Sequence, residues 1–172
     1  MALEVIQVPT LRDNPQDFAQ LFRIWKEVNS CCENARDIHF DFSRCGDLRP
    51  NAIAFLGGLA RLIESNSRWK KFDWNSIHNP SVMSNICQNG FASTFGYSSQ
   101  ATQDLNSNII PYREDKALNV GGIMDYLEQY WLGRGWVQVS QPLRDAIVGR
   151  MWEIYNNAFE HSNSAILSLI HI

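Results

Sequence analysis

The segment EIYNNAFEHS, residues 153–162, carries side chains whose types and spacing could do chemistry. Glu153, Asn157 and His161 follow one another at four-residue steps, and a helix of about 3.6 residues per turn places them on one face. A carboxylate can act as a general base, and an amide oxygen is a hard ligand of the kind that Mg²⁺ prefers. Asn156 shares this polar half, and the other half is apolar, so the pattern predicts an amphipathic helix with solvent or a ligand on its polar side.

The order Glu-x-x-x-Asn-Ala-x-x-His resembles the N-box of the GHKL ATPase superfamily, above all that of the anti-sigma-factor serine kinases. The resemblance implies that Glu153 is the catalytic base, which activates a nucleophile or water. It implies that Asn157 is the metal ligand, which gives its amide oxygen to the Mg²⁺ that bridges the phosphates of ATP. Asn156 and His161 would also belong to the cofactor-binding residues, with His161 near the phosphates. The cofactors implied are therefore ATP and Mg²⁺.

The resemblance covers roughly residues 109–172 and implies a partial GHKL-type α/β sandwich of helices plus one or two strands. The family has a later Asp-x-Gly-x-Gly segment, whose aspartate reads the adenine amino group, and no such segment occurs within the 172 residues. We therefore expect a truncated module, inactive in nucleotide turnover, whose parent activity would be Mg-ATP-dependent hydrolysis or phosphoryl transfer.

The first half of the chain alternates predicted strands and helices, which indicates an α/β fold. The predicted strands lie in LEVIQVP, DIHFDFSRC and WKKFDWNSI, and the predicted helices in NPQDFAQLFRIWKEVNSCCEN, RPNAIAFLGGLARLIESN and NPSVMSNICQNGFASTFG. Asn14 and Asn79, each followed by proline, are helix-start signals, and Gly90 is a stop signal for the third helix. Gly57 and Gly58 weaken the second helix by about 1 kcal/mol each. Glycines at such a position usually permit the close approach of a neighbouring element.

The segment DIHFDFSRCGDLRPNAIAFLGGLARLI resembles the STAS domain, the fold of anti-sigma-factor antagonists, over about residues 3–97. The resemblance implies a mixed sheet with helices and a protein partner. In that family the loop before the helix commonly carries a serine that a partner kinase phosphorylates. Arg49, Pro50 and Asn51 stand there in this chain, so we do not expect regulation by phosphorylation of this loop.

Together the two resemblances predict a regulatory or signalling protein with a STAS-like domain at 1–97, a polar linker at 98–108 and a truncated GHKL segment at 109–172. Within the last part, IIPYR and AILSLIHI read as strands, and NVGGIMDYLEQYWLGR and QPLRDAIVGRMWEIYNNAFEHS as helices. A short linker raises the effective concentration of two fused partners into the millimolar range, so the first part could gate the second.

Composition argues against several classes of partner. The formal net charge is −3 and no basic stripe occurs, so we expect no nucleic-acid partner. No apolar run approaches the roughly 20 residues that cross a bilayer, and the first residues lack a secretory pattern, so we expect a cytoplasmic protein without a membrane partner. The cysteines show no zinc spacing.

Two alternatives stay open from the sequence. In the first, the chain is a non-enzymatic protein–protein interaction or homodimerisation module, and the last long helix is only a docking element. In the second, Cys45 and His39 flank the end of one strand and form the catalytic pair of a small hydrolase.

Overall fold

The computed structural model describes residues 2–98, 109–135 and 138–161, together with the backbone of a strand at 167–169. The strands are β1 (Leu3–Gln7), β2 (Asp37–Asp41), β3 (Lys70–Asp73), β4 (Arg113–Asp115) and β5 (Leu167–Leu169). The helices are α1 (Pro15–Glu33), α2 (Pro50–Ser65), α3 (Pro80–Gln88), α4 (Phe91–Thr94), α5 (Val120–Tyr130) and α6 (Gln141–His161). The predicted α/β class is confirmed.

β1, β2 and β3 form a parallel sheet in that order, and β4 pairs with β5 in antiparallel fashion. The mixed sheet implied for residues 1–97 is wrong for the described residues, because every strand pair described within residues 2–98 is parallel. The physical reason is connectivity. After β1 the chain returns through α1, and after β2 through α2, to the end of the sheet at which the strand began. Such helical crossovers join parallel strands.

Among the described residues, helices cover only one face of the parallel sheet. Ile6, Phe40 and Phe72 alternate inward and are buried in one cluster with the apolar sides of α1, α2 and α3. Burying a side chain of this size contributes roughly 1.5–3 kcal/mol. The residues between them point to the other face, where Leu3 and Val5 are both 53% exposed. The sheet is thus one wall of a two-layer unit.

The helix ends follow the signals in the sequence. Asn14 accepts a hydrogen bond from the Asp17 backbone N–H at 3.0 Å and opens α1, and Asn79 accepts one from Ser81 at 2.9 Å and opens α3. Gly90 has a φ of 83°, a left-handed conformation that favours glycine, and it separates α3 from α4. Among the residues described, no helix combines the length and the apolarity needed to cross a bilayer.

A second hydrophobic cluster joins α5 to α6 and is separate from the first. Its buried members are Ile123, Tyr126, Leu127, Met151 and Tyr155. Most of the predicted linker, residues 99–108, lies outside the described residues, so the domain boundary stays a prediction.

The antiparallel strand pair packs on α2, through a close approach at one glycine. An added Cβ at Gly57 would lie 2.0 Å from the hydroxyl oxygen of Tyr112, whereas one at Gly58 would meet nothing within 4 Å. The Tyr112 hydroxyl donates to Glu114 Oε1 at 2.7 Å, and Arg61 Nη2 donates to Glu114 Oε2 at 2.7 Å. The close approach expected from the glycine pair is confirmed for Gly57 and not for Gly58.

We predict that Gly57→Ala destabilises the chain whereas Gly58→Ala stabilises it. The new methyl group at residue 57 displaces the Tyr112 ring, which packs edge-on against Phe91 with centroids 5.1 Å apart. Such overpacking costs about 1–3 kcal/mol, whereas alanine at the open position 58 gains up to about 1 kcal/mol of helix propensity. The measurement is the free energy of unfolding in urea.

A Tyr112→Ala background provides the control, because it removes the ring that the methyl group meets. There the two glycine substitutions should have similar effects. Equal stability of Gly57→Ala and Gly58→Ala in the wild-type background would contradict the close approach.

Candidate functional site

α6 carries the residues of the predicted site and is anchored by one narrow apolar stripe. Val148, Met151 and Tyr155 recur at three- and four-residue spacing and are 3%, 7% and 2% exposed. Met151 and Tyr155 pack on Ile123 and Leu127 of α5. The side chains on the far side of α6 are therefore turned away from this cluster.

A polar network fixes α6 to the segment between β4 and α5. The Tyr155 hydroxyl donates to Asp115 Oδ2 at 2.8 Å and accepts the backbone N–H of Asn119 at 3.2 Å. Arg113 donates to both Asp115 oxygens at 2.9 Å, a bidentate pair, and also donates to the carbonyl oxygen of Gly122. Burial, with the hydrogen bond to Asp115, raises the pKa of Tyr155.

The predicted polar residues lie on the exposed side of α6. Glu153, Asn157 and His161 are all exposed, and His161 is the last residue of the helix. Arg150 donates to Glu153 Oε2 at 2.8 Å. The Asn157 side chain has no hydrogen-bond partner among the described residues. The structure thus brings the three residues of the pattern to one accessible face.

Two neighbours of this face differ from the sequence-based expectation. Asn156 is half-buried, and its amide donates to Glu160 Oε1 at 2.8 Å, so it is not presented as freely as Asn157. Ile154 belongs to the predicted apolar half of the helix, yet it is 55% exposed. The reason is geometric: α6 contacts α5 along one stripe, and Ile154 lies beyond its edge.

The residues of this face fit a magnesium–phosphate group. Among the described residues, no group of three or more His, Cys, Asp or Glu side chains could hold a metal ion by itself. Mg²⁺ keeps several waters and takes few protein oxygens when phosphates supply the rest, and the accessible amide oxygen of Asn157 is a hard donor of the kind it accepts. The Glu153 carboxylate, one helical turn earlier, could reach a metal-ordered water.

A second polar cluster, which sequence reasoning missed, lies at the carboxyl end of the parallel sheet. Asp41 Oδ1 accepts the backbone N–H of Ser43 at 2.8 Å, and its Oδ2 accepts Gln7 Nε2 and the Ser43 hydroxyl, both at 3.0 Å. The backbone N–H of Ser43 is the main cause that lowers the pKa of Asp41. An aspartate at the end of a central strand, two residues before serine, was the available signal.

The predicted pair of Cys45 and His39 is not supported as a catalytic dyad. Cys45 is 4% exposed, and burial raises the pKa of its thiol to about 11, which disfavours the thiolate that a nucleophile requires. Its sulfur lies 3.5 Å from the carbonyl oxygen of Asp47. His39 Nε2 lies 3.3 Å from Asp73 Oδ2 but out of line for a hydrogen bond. Cys45 therefore contacts the backbone of Asp47, whereas His39 lies beside the side chain of a different aspartate, Asp73.

Comparison of the chain with protein-family models, with curated proteins and with solved structures finds no match.

We predict that Tyr155→Phe lowers the free energy of unfolding by about 1–2 kcal/mol. The substitution removes the donor to Asp115 and leaves the Asn119 N–H without its side-chain acceptor. Tyr130→Phe is the matched control, because Tyr130 lies at the same cluster and its hydroxyl has no hydrogen-bond partner among the described residues. Urea denaturation measures both, and an effect of equal size in the two variants would contradict a specific role for the Tyr155 hydroxyl.

We predict that acidification destabilises the chain in part through Asp41. Its pKa is lower in the folded chain than in the unfolded chain, so its carboxylate stabilises the fold above about pH 4. That contribution is lost as the pH falls through the folded-state pKa. Asp41→Asn should lose less stability than the wild type between about pH 5 and pH 3. Asp125→Asn, at an exposed position of α5, serves as the control, and a wild-type-like loss in Asp41→Asn would contradict the prediction.

Proposed function

We propose that this chain is a regulatory protein in which α6 supplies the magnesium ligand and the catalytic base of a GHKL-type nucleotide site. One observation carries the proposal: Glu153, Asn157 and His161 share one exposed face of a helix whose opposite side is anchored. The strand–helix–helix–strand order of β4, α5, α6 and β5 supports it, because the N-box resemblance requires a long helix followed by a strand.

Two residues of the face, Asn157 and Glu153, have a defined role in the proposed chemistry. Mg²⁺, when bound with a nucleotide, neutralises phosphate charge and orders water. Asn157 would hold the metal through its amide oxygen, and Glu153 would accept a proton from the attacking group. Arg150 pairs with Glu153 at the surface, where both side chains are solvated and the pair is weak, so the carboxylate can exchange this partner for water.

Residues 1–97 are proposed to act as the regulatory, STAS-like part. Its support is the contact between α2 and the strand pair, through Arg61 and Glu114. β4 continues into Asp115, which holds Tyr155 of α6. A partner that displaces α2 would therefore act on the element that positions the proposed nucleotide face.

We predict that ADP causes Mg²⁺-dependent chemical-shift changes in the α6 amides of the ¹⁵N-labelled chain. We expect weak binding, because the 172 residues contain no Asp-x-Gly-x-Gly segment for adenine. Asn157→Ala should abolish the Mg²⁺-dependent part. Glu153→Gln should retain it, since the proposed base does not hold the metal.

Glu160→Gln is the matched control, because Glu160 is an exposed carboxylate of the same helix outside the proposed roles. It should leave the Mg²⁺ dependence unchanged. Equal shifts in Mg²⁺ and in EDTA, or full shifts in Asn157→Ala, would count against the nucleotide site.

The second candidate function, a non-enzymatic interaction module, is favoured by a groove between α1 and α2. Phe18, Phe22 and Trp25 are 52%, 55% and 38% exposed and line it with Phe55, in a volume of about 460 Å³. Exposed aromatic side chains on one helix stripe are typical of protein interfaces. This function would be favoured if the chain associates with a protein, if that association does not depend on Mg²⁺ or nucleotide, and if Phe22→Ser weakens it.

A further inference from the structure

Among the described strands, β1 is at an edge of its sheet and has one side unpaired. Asp37 N–H donates to the Ala2 carbonyl, and Val8 N–H donates to the Asp41 carbonyl, so even-numbered residues of β1 direct their backbone groups toward β2. Because backbone groups alternate along a strand, Leu3, Val5 and Gln7 direct theirs away from β2. No described strand pairs with that side. The N–H and C=O groups of these three residues are a template for another strand.

The two edges of the sheet differ in how they are protected. β3, at the opposite edge, carries Lys70 and Lys71, and lysines on an edge strand are a common device against strand addition. β1 has the sequence LEVIQ, with neither lysine nor proline, and its register with β2 shows no bulge. Leu3 and Val5 add exposed apolar area to the sheet face beside this edge. The unprotected edge is therefore the one suited to pairing.

The groove along this edge is complementary to itself in charge. It has a volume of about 370 Å³ and is lined by Glu4 and Glu27 as well as Arg23 and Arg44. Arg23 and Glu27 form an exposed ion pair on α1, with 3.7 Å between Arg23 Nη1 and Glu27 Oε1. Exposed pairs of this kind are weak, and an antiparallel copy of α1 would place each residue opposite a second counter-charge. Arg44 has no ion-pair partner among the described residues. Arg44 lies toward the carboxyl end of β1. In an antiparallel pair, the amino-terminal end of the other β1, which carries Glu4, would lie at this end.

From these observations we infer that β1 binds β1 of a second copy of this chain, antiparallel and about a two-fold axis at Val5, to join two parallel sheets into one. In this register Val5 lies opposite Val5 of the copy, and Leu3 lies opposite Gln7 of the copy. Every outward N–H and C=O of the strand then finds a partner, because all three opposed positions are hydrogen-bonded pairs. Isologous pairing of this kind closes as a dimer and leaves no growing end.

Cysteine cross-linking tests the register directly. Across the axis the two Val5 Cα atoms are about 5.5 Å apart, within the range of a disulfide. The two Leu3 Cα atoms are four residues apart along the strand, roughly 13 Å, which is too far. Val5→Cys should therefore form an intermolecular disulfide under mild oxidation. Leu3→Cys, equally exposed at 53% and on the same face, should stay at the wild-type background.

The double variant L3C/Q7C should cross-link, because position 3 of each chain lies opposite position 7 of the copy. Equal cross-linking of the two single variants, or none in either, would overturn the proposed register.

Sedimentation equilibrium tests the dimer without new cysteines. The wild-type chain should dimerise, and Val5→Lys should shift the equilibrium to monomer by at least tenfold, because two lysines face each other at the axis. Trp69→Lys, at the other edge and 55% exposed, is the matched control and should remain dimeric. A wild-type chain that stays monomeric up to its solubility limit would overturn the inference.

Discussion

Tyr112 packs against the backbone of α2 at Gly57. This contact joins the parallel-sheet part of the chain, residues 2–98, to the part that contains β4, α5 and α6. Gly57 leaves no Cβ, so the ring reaches the helix surface, and its hydroxyl meets the same carboxylate that receives Arg61. Glu114 is 11% exposed, and its hydrogen bonds to Arg61 raise the pKa of that guanidinium. A partly buried carboxylate requires such partners, so the aromatic and ionic contacts support each other.

β4 connects that contact to α6 through two neighbouring residues. Glu114 and Asp115 are adjacent; the first is bound to α2, and the second to Arg113 and Tyr155. The buried Tyr155 orients α6, and its polar face follows from helical spacing alone. The proposed base and metal ligand are thus held by contacts that they do not themselves make. This arrangement leaves their side chains exposed.

The one-sided covering of the parallel sheet has a different consequence. Helices on a single face bury Ile6, Phe40 and Phe72, but the other face and the β1 edge retain Leu3 and Val5 in solvent. Parallel sheets are usually covered on both faces. The proposed edge pairing between two copies would cover part of that apolar surface without a further layer.

The sequence by itself determined the local structure: the helix starts at Asn14 and Asn79, the left-handed stop at Gly90, and the shared face of Glu153 and Asn157. These features depend on caps, backbone conformation and periodicity, which involve residues within a few positions of each other. Only the tertiary structure decided the parallel strand order, the exposure of Ile154 and the hydrogen bonds gathered on Asp41. It also decided the Arg61–Glu114 pair, whose members are 53 positions apart. Such contacts depend on which distant surfaces meet, and a pattern of neighbouring residue types does not encode that choice.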